Sequence, residues 1–318
     1  MYGITVIWKK ELSDHFSSYR FLLLFALIAM VSLVTAYMAG ISITKDLQGV
    51  AKPEYVFLML FTASGVRFSL VQFVAFFGPL IGLILGFDTI NRERNEGTLS
   101  KLLSQPIYRD AVVNGKFLAG VTVIALMIGS IMLIITGLGL ILMGVVPGSE
   151  EIWRILIYLV ISVCYISFWL GLAILFSILF RSVATSALAA LAVWIFFSFF
   201  LSLGAGAIAN ALTPEAGAAD PESLLRRIKI EHAIALASPM ALYTDATATI
   251  IDPMRRTTRA VMQMGMMEQI SMKRFSGPLP LSQSFLVVLP YIITLAAITI
   301  ICFAISYTVF MRQEIRSI

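Results

Sequence analysis

Charge is scarce in this sequence. Only 13% of its 318 residues are Asp, Glu, Lys or Arg, while 59% are hydrophobic. A soluble domain carries about a quarter charged residues, so the chain reads as an all-α polytopic membrane protein. Cysteine is nearly absent as well. Cys164 and Cys302 both fall within apolar runs and offer neither a disulfide framework nor metal-ligand spacing. They read as buried thiols. No GxxxxGK(S/T) phosphate loop, HExxH or GxSxG occurs, which excludes a Walker-type ATP site and two common hydrolytic centres in this chain. The span interiors show no Asp, Glu, Lys, Arg or His. A proton- or sodium-coupled carrier needs such groups at mid-depth, so that class is disfavoured. The net charge of +5 does not imply nucleic acid, because the basic residues sit at span ends and no basic cluster is interleaved with aromatics.

What is present is a series of long apolar runs. A helix needs about 20 apolar residues to cross a bilayer. The runs at 21–41, 68–87, 111–146, 155–180, 183–212 and 285–310 meet or exceed that, giving six spans. The first is longer than the h-region of a signal peptide and is expected to remain in the protein. Residues 55–61 are too few to cross and read as a re-entrant or surface helix. Eleven Lys and Arg lie on the segments of one side, and four (Lys45, Lys52, Arg67, Arg154) on the short loops of the other. That bias places both termini and the loop at 88–110 in the cytoplasm. Gly78, Gly82 and Gly86 recur every four residues in the second span, a bare face for close helix approach that suits either a static contact or a seam that shifts. Pro79 and Pro290 are kink positions.

Two polar stretches stand out. Residues 2–19 place Ile4, Ile7, Trp8, Leu12, Phe16 and Tyr19 at helical spacing, with Lys9, Lys10, Ser13 and Asp14 opposite, as a helix lying in the membrane interface does. His15 has no ligand-type partner nearby. Residues 88–116 read DTINRERNEGTLSKLLSQPIYRDAVVNGK. Within them Leu99, Leu102 and Leu103 share one face of a helix over 95–105. Asn95 is the expected N-cap, Glu96 suits the first turn, and Pro106 ends the helix. Asp88 sits at the water boundary. Such a helix is either a docking element, whose leucines need a groove, or an interfacial helix on lipid headgroups.

The pattern ErxxGTLxxLLsxPixRxxxxxGK, carried here by Glu93, Arg94, Gly97, Thr98, Leu99, Leu102, Leu103, Pro106, Arg109, Gly115 and Lys116, resembles the signature of type-2 ABC-transporter permeases. Lys9–Leu12 followed by Phe16–Ser18 resembles the family's N-terminal elbow helix. Ser238–Pro253 resembles the segment before the last span in permeases similar to those of the nitrous-oxide-reductase, or multi-copper enzyme, maturation system. The resemblance implies an elbow helix plus six transmembrane helices. It also implies a second permease copy and a separate ATPase subunit, which would bind ATP and Mg; no cofactor is expected in this chain. The 88–110 loop becomes the coupling helix, with Glu96, Gly97, Thr98, Leu99, Leu102, Leu103, Pro106 and Arg109 as the expected ATPase contacts. Export across the cell membrane is the implied activity.

Residues 213–283 hold eight basic and seven acidic residues, broken by six prolines. They are expected to form a small extracytoplasmic helical cap, with 223–236 and 255–270 as its best helices. Met262, Met264, Met266 and Met267 cluster there. Thioethers bind Cu(I), but flexible methionines also fill irregular contacts, and the second reading is favoured. Two other classes stay open: an ATPase-independent carrier, and a membrane scaffold for maturation of a secreted copper enzyme.

Overall fold

The computed structural model describes residues 2–46, 55–62, 69–213, 221–254 and 277–313. Thirteen α-helices and no strand lie among them. Helix α1 (Tyr2–Phe16) precedes α2 (Tyr19–Asp46), α3 (Met59–Thr62) and α4 (Leu70–Gly86). Then come α5 (Asn91–Asn95), α6 (Thr98–Leu103), α7 (Arg109–Met143) and α8 (Ser149–Leu179). Next, α9 (Val183–Ile195) runs through a π-helical turn, Phe196–Phe200, into α10 (Leu201–Leu212). The last are α11 (Pro221–Ala235), α12 (Pro239–Ile251) and α13 (Leu281–Arg312). Six helices are long and apolar enough to cross a membrane: α2, α4, α7, α8, α9 with its π turn, and α13.

Helix α8 is the axis of the bundle, packed against α4, α7, α12 and α13. Its Tyr158, Tyr165 and Trp169 are fully buried. Gly78, Gly82 and Gly86 line the α4 side of this contact. A Cβ on Gly82 would stand 2.6 Å from the Ile166 carbonyl oxygen, and one on Gly86 2.9 Å from that of Leu170. Only hydrogen fits between these backbones. On its other side α8 is fastened to α13: Ser306 Oγ donates to the Gly171 oxygen at 3.1 Å, and Thr299 Oγ1 to that of Cys164 at 3.4 Å.

Several boundaries differ from the sequence reading for local reasons. Helix α2 continues through the polar residues after 41, where Thr44 Oγ1 returns to the Gly40 oxygen at 2.7 Å. Residues 47–54 and Arg67 lie outside the described residues. Helix α4 starts at a capping box in which Ser69 Oγ accepts from Gln72 N and Gln72 Oε1 from Ser69 N. Helix α3 is tucked into the bundle, with Phe57 and Leu60 against Gly139 and Phe61 against Tyr158. Helix α8 begins at Ser149, six residues earlier than the apolar run suggests. Glu151 Oε2 accepts from Gly148 N at its start, and Arg154, expected in an outer loop, is completely buried.

The largest departure is α12. Residues 239–251 were expected in a surface cap, yet ten of the thirteen are buried, packed on α8, α13 and α4. Tyr243 stacks on Tyr165 with ring centroids 4.4 Å apart, and its hydroxyl lies 2.9 Å from Ser162 Oγ, in the middle of α8. The α11–α12 pair bends by 112°, so this stretch dips into the bundle and returns. Its composition hid this, because α12 carries Asp245, three alanines and three threonines rather than a long aliphatic run. Residues 255–276, including Met262, Met264, Met266 and Met267, lie outside the described residues.

Candidate functional site

One end of the bundle gathers α1, the α4–α7 connection, the α8–α9 turn and the end of α13. Among the described residues, seven of the nine ion pairs lie on this side. The 88–110 segment is two short helices, not one. Gly97 joins them with φ +68°, a left-handed conformation that glycine adopts without strain. Asn95 therefore ends α5 instead of capping α6; its Nδ2 donates to the Arg181 oxygen at 3.1 Å. Glu96 pairs with Arg92 at 3.0 Å across one turn of α5.

The segment is anchored by a four-charge cluster. Lys116, 2% exposed, sits 2.8 Å from Glu11 and 2.9 Å from Glu93. Lys10 reaches the same two carboxylates at 2.8 and 3.1 Å. Three elements, α1, α5 and α7, thus share two carboxylates and two ammonium groups. At Glu11 and Lys10 burial disfavours the charged form. The neighbouring Lys116 and Lys10 nevertheless hold the Glu11 carboxyl below its ordinary value, and Glu11 and Glu93 hold the Lys10 ammonium above its own. Apolar packing supports the same junction: Ile7 fills the space over Gly115, where a Cβ would stand 2.7 Å from its Cγ2. Beside the cluster opens a cleft of about 860 Å³, lined by Lys10, Glu11, Arg20, Asp88, Glu93 and Lys116 among others. Arg20 and Asp88 pair across it at 2.7 Å. His15 also lines it, its pKa lowered by burial.

A second anchor lies at the far edge of the segment. Arg94 Nη2 donates to Gln313 Oε1 at 2.6 Å and its Nη1 to the Ile178 oxygen at 3.4 Å. Arg109 Nη1 donates to the Gln313 oxygen at 3.2 Å. Leu99 is buried within the chain, and Leu102 and Leu103 are half-buried against the same core. The leucine face thus turns inward and finds its groove in its own bundle. What faces outward is Arg92, Asn95, Glu96, Gly97, Thr98, Lys101, Gln105 and Pro106, together with Tyr108, 84% exposed.

An amphipathic α1 is thus clamped to a polar connection between the second and third of six candidate spanning helices. The sequence profile of the ABC-2 family transporter proteins matches residues 5–315. The chain belongs to that family. Comparison with individually curated proteins gives no match. As an ABC-2 family member it is a multi-pass membrane protein and a transporter's permease component, and such permeases normally partner with an ABC ATPase subunit.

Within this ABC-2 chain the structure separates the signature residues into two groups. Glu93, Arg94, Leu99, Arg109, Gly115 and Lys116 make internal contacts, Leu102 and Leu103 are half-buried against the core, and Gly97, Thr98 and Pro106 are exposed. Sequence reasoning missed the partners of the first group: Glu11 entered only as part of the elbow-like Lys9–Leu12 stretch, and Gln313 falls in no motif. It also missed Arg154 and Asp245. Among the described residues no group of three or more His, Cys, Asp or Glu is arranged to hold a metal.

Proposed function

We propose that the chain is the membrane subunit of an ATP-driven exporter, paired with a second permease copy and coupled through the 88–110 loop to a separate ATPase that binds ATP and Mg. The observation that carries this reading is the exposed loop surface rooted in the buried Lys116 cluster with Glu11 and Glu93. A docking element must transmit force, and a loop pinned by buried ion pairs and arginine hydrogen bonds does not yield on its own. The contact residues are then Glu96, Gly97, Thr98, Lys101, Gln105, Pro106 and Tyr108, with Leu102 and Leu103 at the margin and Leu99 beneath as support. Arg109 is half-buried behind the contact surface. In this arrangement the loop and both termini are cytoplasmic, the membrane is the cell membrane, and lipid covers the exposed apolar faces of α2, α9 and α13. Uncharged spans rich in aromatic and serine residues suit a lipid-like, peptide or drug-like cargo. The likeness of the 238–253 segment to copper-enzyme maturation permeases remains a sequence resemblance.

The test is purification of the tagged chain in mild detergent with its partners identified. Recovery of a Walker-motif protein with ATP hydrolysis, lost in the exposed-loop variant Lys101→Glu, supports the reading. A folded six-span protein that recruits no nucleotide-binding partner refutes it.

A second reading has one observation in its favour. The absence of ionisable groups from the spans argued against an ion-driven carrier, but α12 carries Asp245 into the bundle. Its Oδ2 lies 3.1 Å from His232 Nε2, without a hydrogen bond of good geometry between them. Intramembrane carboxylates mark ion pathways. Transport by the purified chain alone, driven by a proton or sodium gradient and lost in Asp245→Asn, would favour the carrier.

A further inference from the structure

The last helix, α13, is held at both ends by arginines from other elements. On the loop side its capping residue Gln313 uses every polar group of its side chain. Gln313 Oε1 accepts from Arg94, and Gln313 Nε2 donates to the Ile178 oxygen near the end of α8 at 3.3 Å. Its backbone oxygen accepts from Arg109. Arg94 precedes the exposed part of the loop and Arg109 follows it, so both edges of the loop are tied to one residue. The Ile178 oxygen is one of the last carbonyls of α8, which lack partners within their own helix; Arg94 and Gln313 both supply it.

On the opposite side Arg154 forms the matching joint. Its Nη1 donates to the Thr249 oxygen at 3.1 Å, the Ile250 oxygen at 3.0 Å and Ser284 Oγ at 3.2 Å. Its Nη2 donates to the Leu279 oxygen at 2.6 Å and to Glu150 Oε1 at 2.8 Å. One fully buried guanidinium thus binds the start of α8, the end of α12 and the start of α13. The hydrogen bonds from Ser306 and Thr299 lock α8 to α13 between the two joints.

We propose that Gln313 is a positioning residue that passes displacement of the loop to the far side of the bundle, through α13 to the Arg154 joint and α12. This rests on the ATPase-docking reading. The competing route is the covalent continuity of α4 and α7 with the loop, under which Gln313 only ties down a helix end.

The two routes separate in the full complex of permease and ATPase in lipid nanodiscs. Cys164→Ser and Cys302→Ser clear the background. Spin labels then go at Tyr37→Cys on α2 and Leu286→Cys on α13, both exposed positions. The inter-label distance is read without nucleotide and after trapping with ATP and vanadate. The parent shifts on trapping. Gln313→Ala recruits the ATPase and hydrolyses ATP but loses the shift, and Gln313→Glu restores it because a carboxylate still accepts from Arg94. If Gln313→Ala does not reach the membrane folded, Gln313→Asn, too short to span both partners, takes its place. A shift in Gln313→Ala equal to the parent's overturns the proposal. So does a parent that binds ATPase yet shows no shift, and so does loss of ATPase recruitment in Gln313→Ala, which would make the residue a support of the loop alone. A parent that binds no ATPase is seen before any label is read; it overturns the docking reading itself, and the relay with it.

Discussion

Glu93 and Lys116 stand 23 residues apart in sequence and are joined by a 2.9 Å ion pair at the root of the loop. The two residues bracket the stretch that leaves the second span and enters the third. Their pairing closes that stretch into a ring, and Glu11 of α1 completes the closure from outside.

Because Lys116 is buried between two carboxylates, its removal leaves Glu11 and Glu93 with only the half-exposed Lys10 to offset them. Breaking one member of a buried ion pair costs about 3 kcal/mol or more. Lys116→Met is expected to lower the midpoint of thermal unfolding in detergent and to free the loop to protease. Adding Glu93→Gln to Lys116→Met should cost less than the sum of the two single changes, since contacting residues couple. Additive effects would mean the ion pair contributes nothing.

The same cluster predicts a pH dependence. Glu11 is depressed, so its stabilisation is present above the unfolded value of 4.5 and is lost as pH falls through the lower folded value. Lys10 is raised, so its share is complete below 10.5 and fades only as pH rises through the higher folded value. The clamp should hold at full strength between these limits. Glu11→Gln should flatten the acid limb of an unfolding-midpoint profile; an unchanged limb would assign acid loss to other groups.

Gly82 and Gly97 should respond to alanine for opposite reasons. At Gly82 the new methyl meets the Ile166 and Leu170 backbones, and overpacking of this kind costs about 1–3 kcal/mol. At Gly97 nothing lies within 4 Å, but the left-handed backbone penalises a side chain by about 1 kcal/mol. Gly82→Ala should therefore disturb α4–α8 packing and lower stability, while Gly97→Ala should leave the bundle intact and alter only the exposed loop. Hydrogen exchange along α8 distinguishes them.

Arg154 supplies donors in a fixed fork to three segments at once. Lysine has one ammonium and cannot reproduce that geometry. Arg154→Lys is expected to behave nearly as badly as Arg154→Met, loosening α12 from α8. Faster exchange over residues 239–251 is the readout; normal protection in Arg154→Lys would show that charge alone holds the joint.

How much of this was legible beforehand follows from the physics of each element. The spans were legible because a bilayer imposes length and apolarity on each helix separately. The glycine row and the loop's polarity were equally plain, being local patterns. The inward turn of Leu99 was not, because periodicity says which residues share a face and not which way that face points. Glu11 and Gln313 escaped notice because their roles depend on partners 105 and 219 residues away in sequence, as Lys116 and Arg94 show. Helix α12 escaped because buried neighbours, rather than its own composition, make its place in the bundle favourable.

Tyr108 offers the most direct test of the central claim, that the loop is a docking surface for a separate ATPase. A large aromatic residue left 84% exposed contributes little to folding, and aromatic anchors of this kind dominate interface energetics. A photo-crosslinking side chain placed at 108 in the native host should form an adduct with a nucleotide-binding protein. The same group at Ile141, exposed at the other end of α7, should not. Adducts at 108 with lipid alone, while Ile141 behaves identically, would contradict the account and leave the loop a helix resting on the membrane surface.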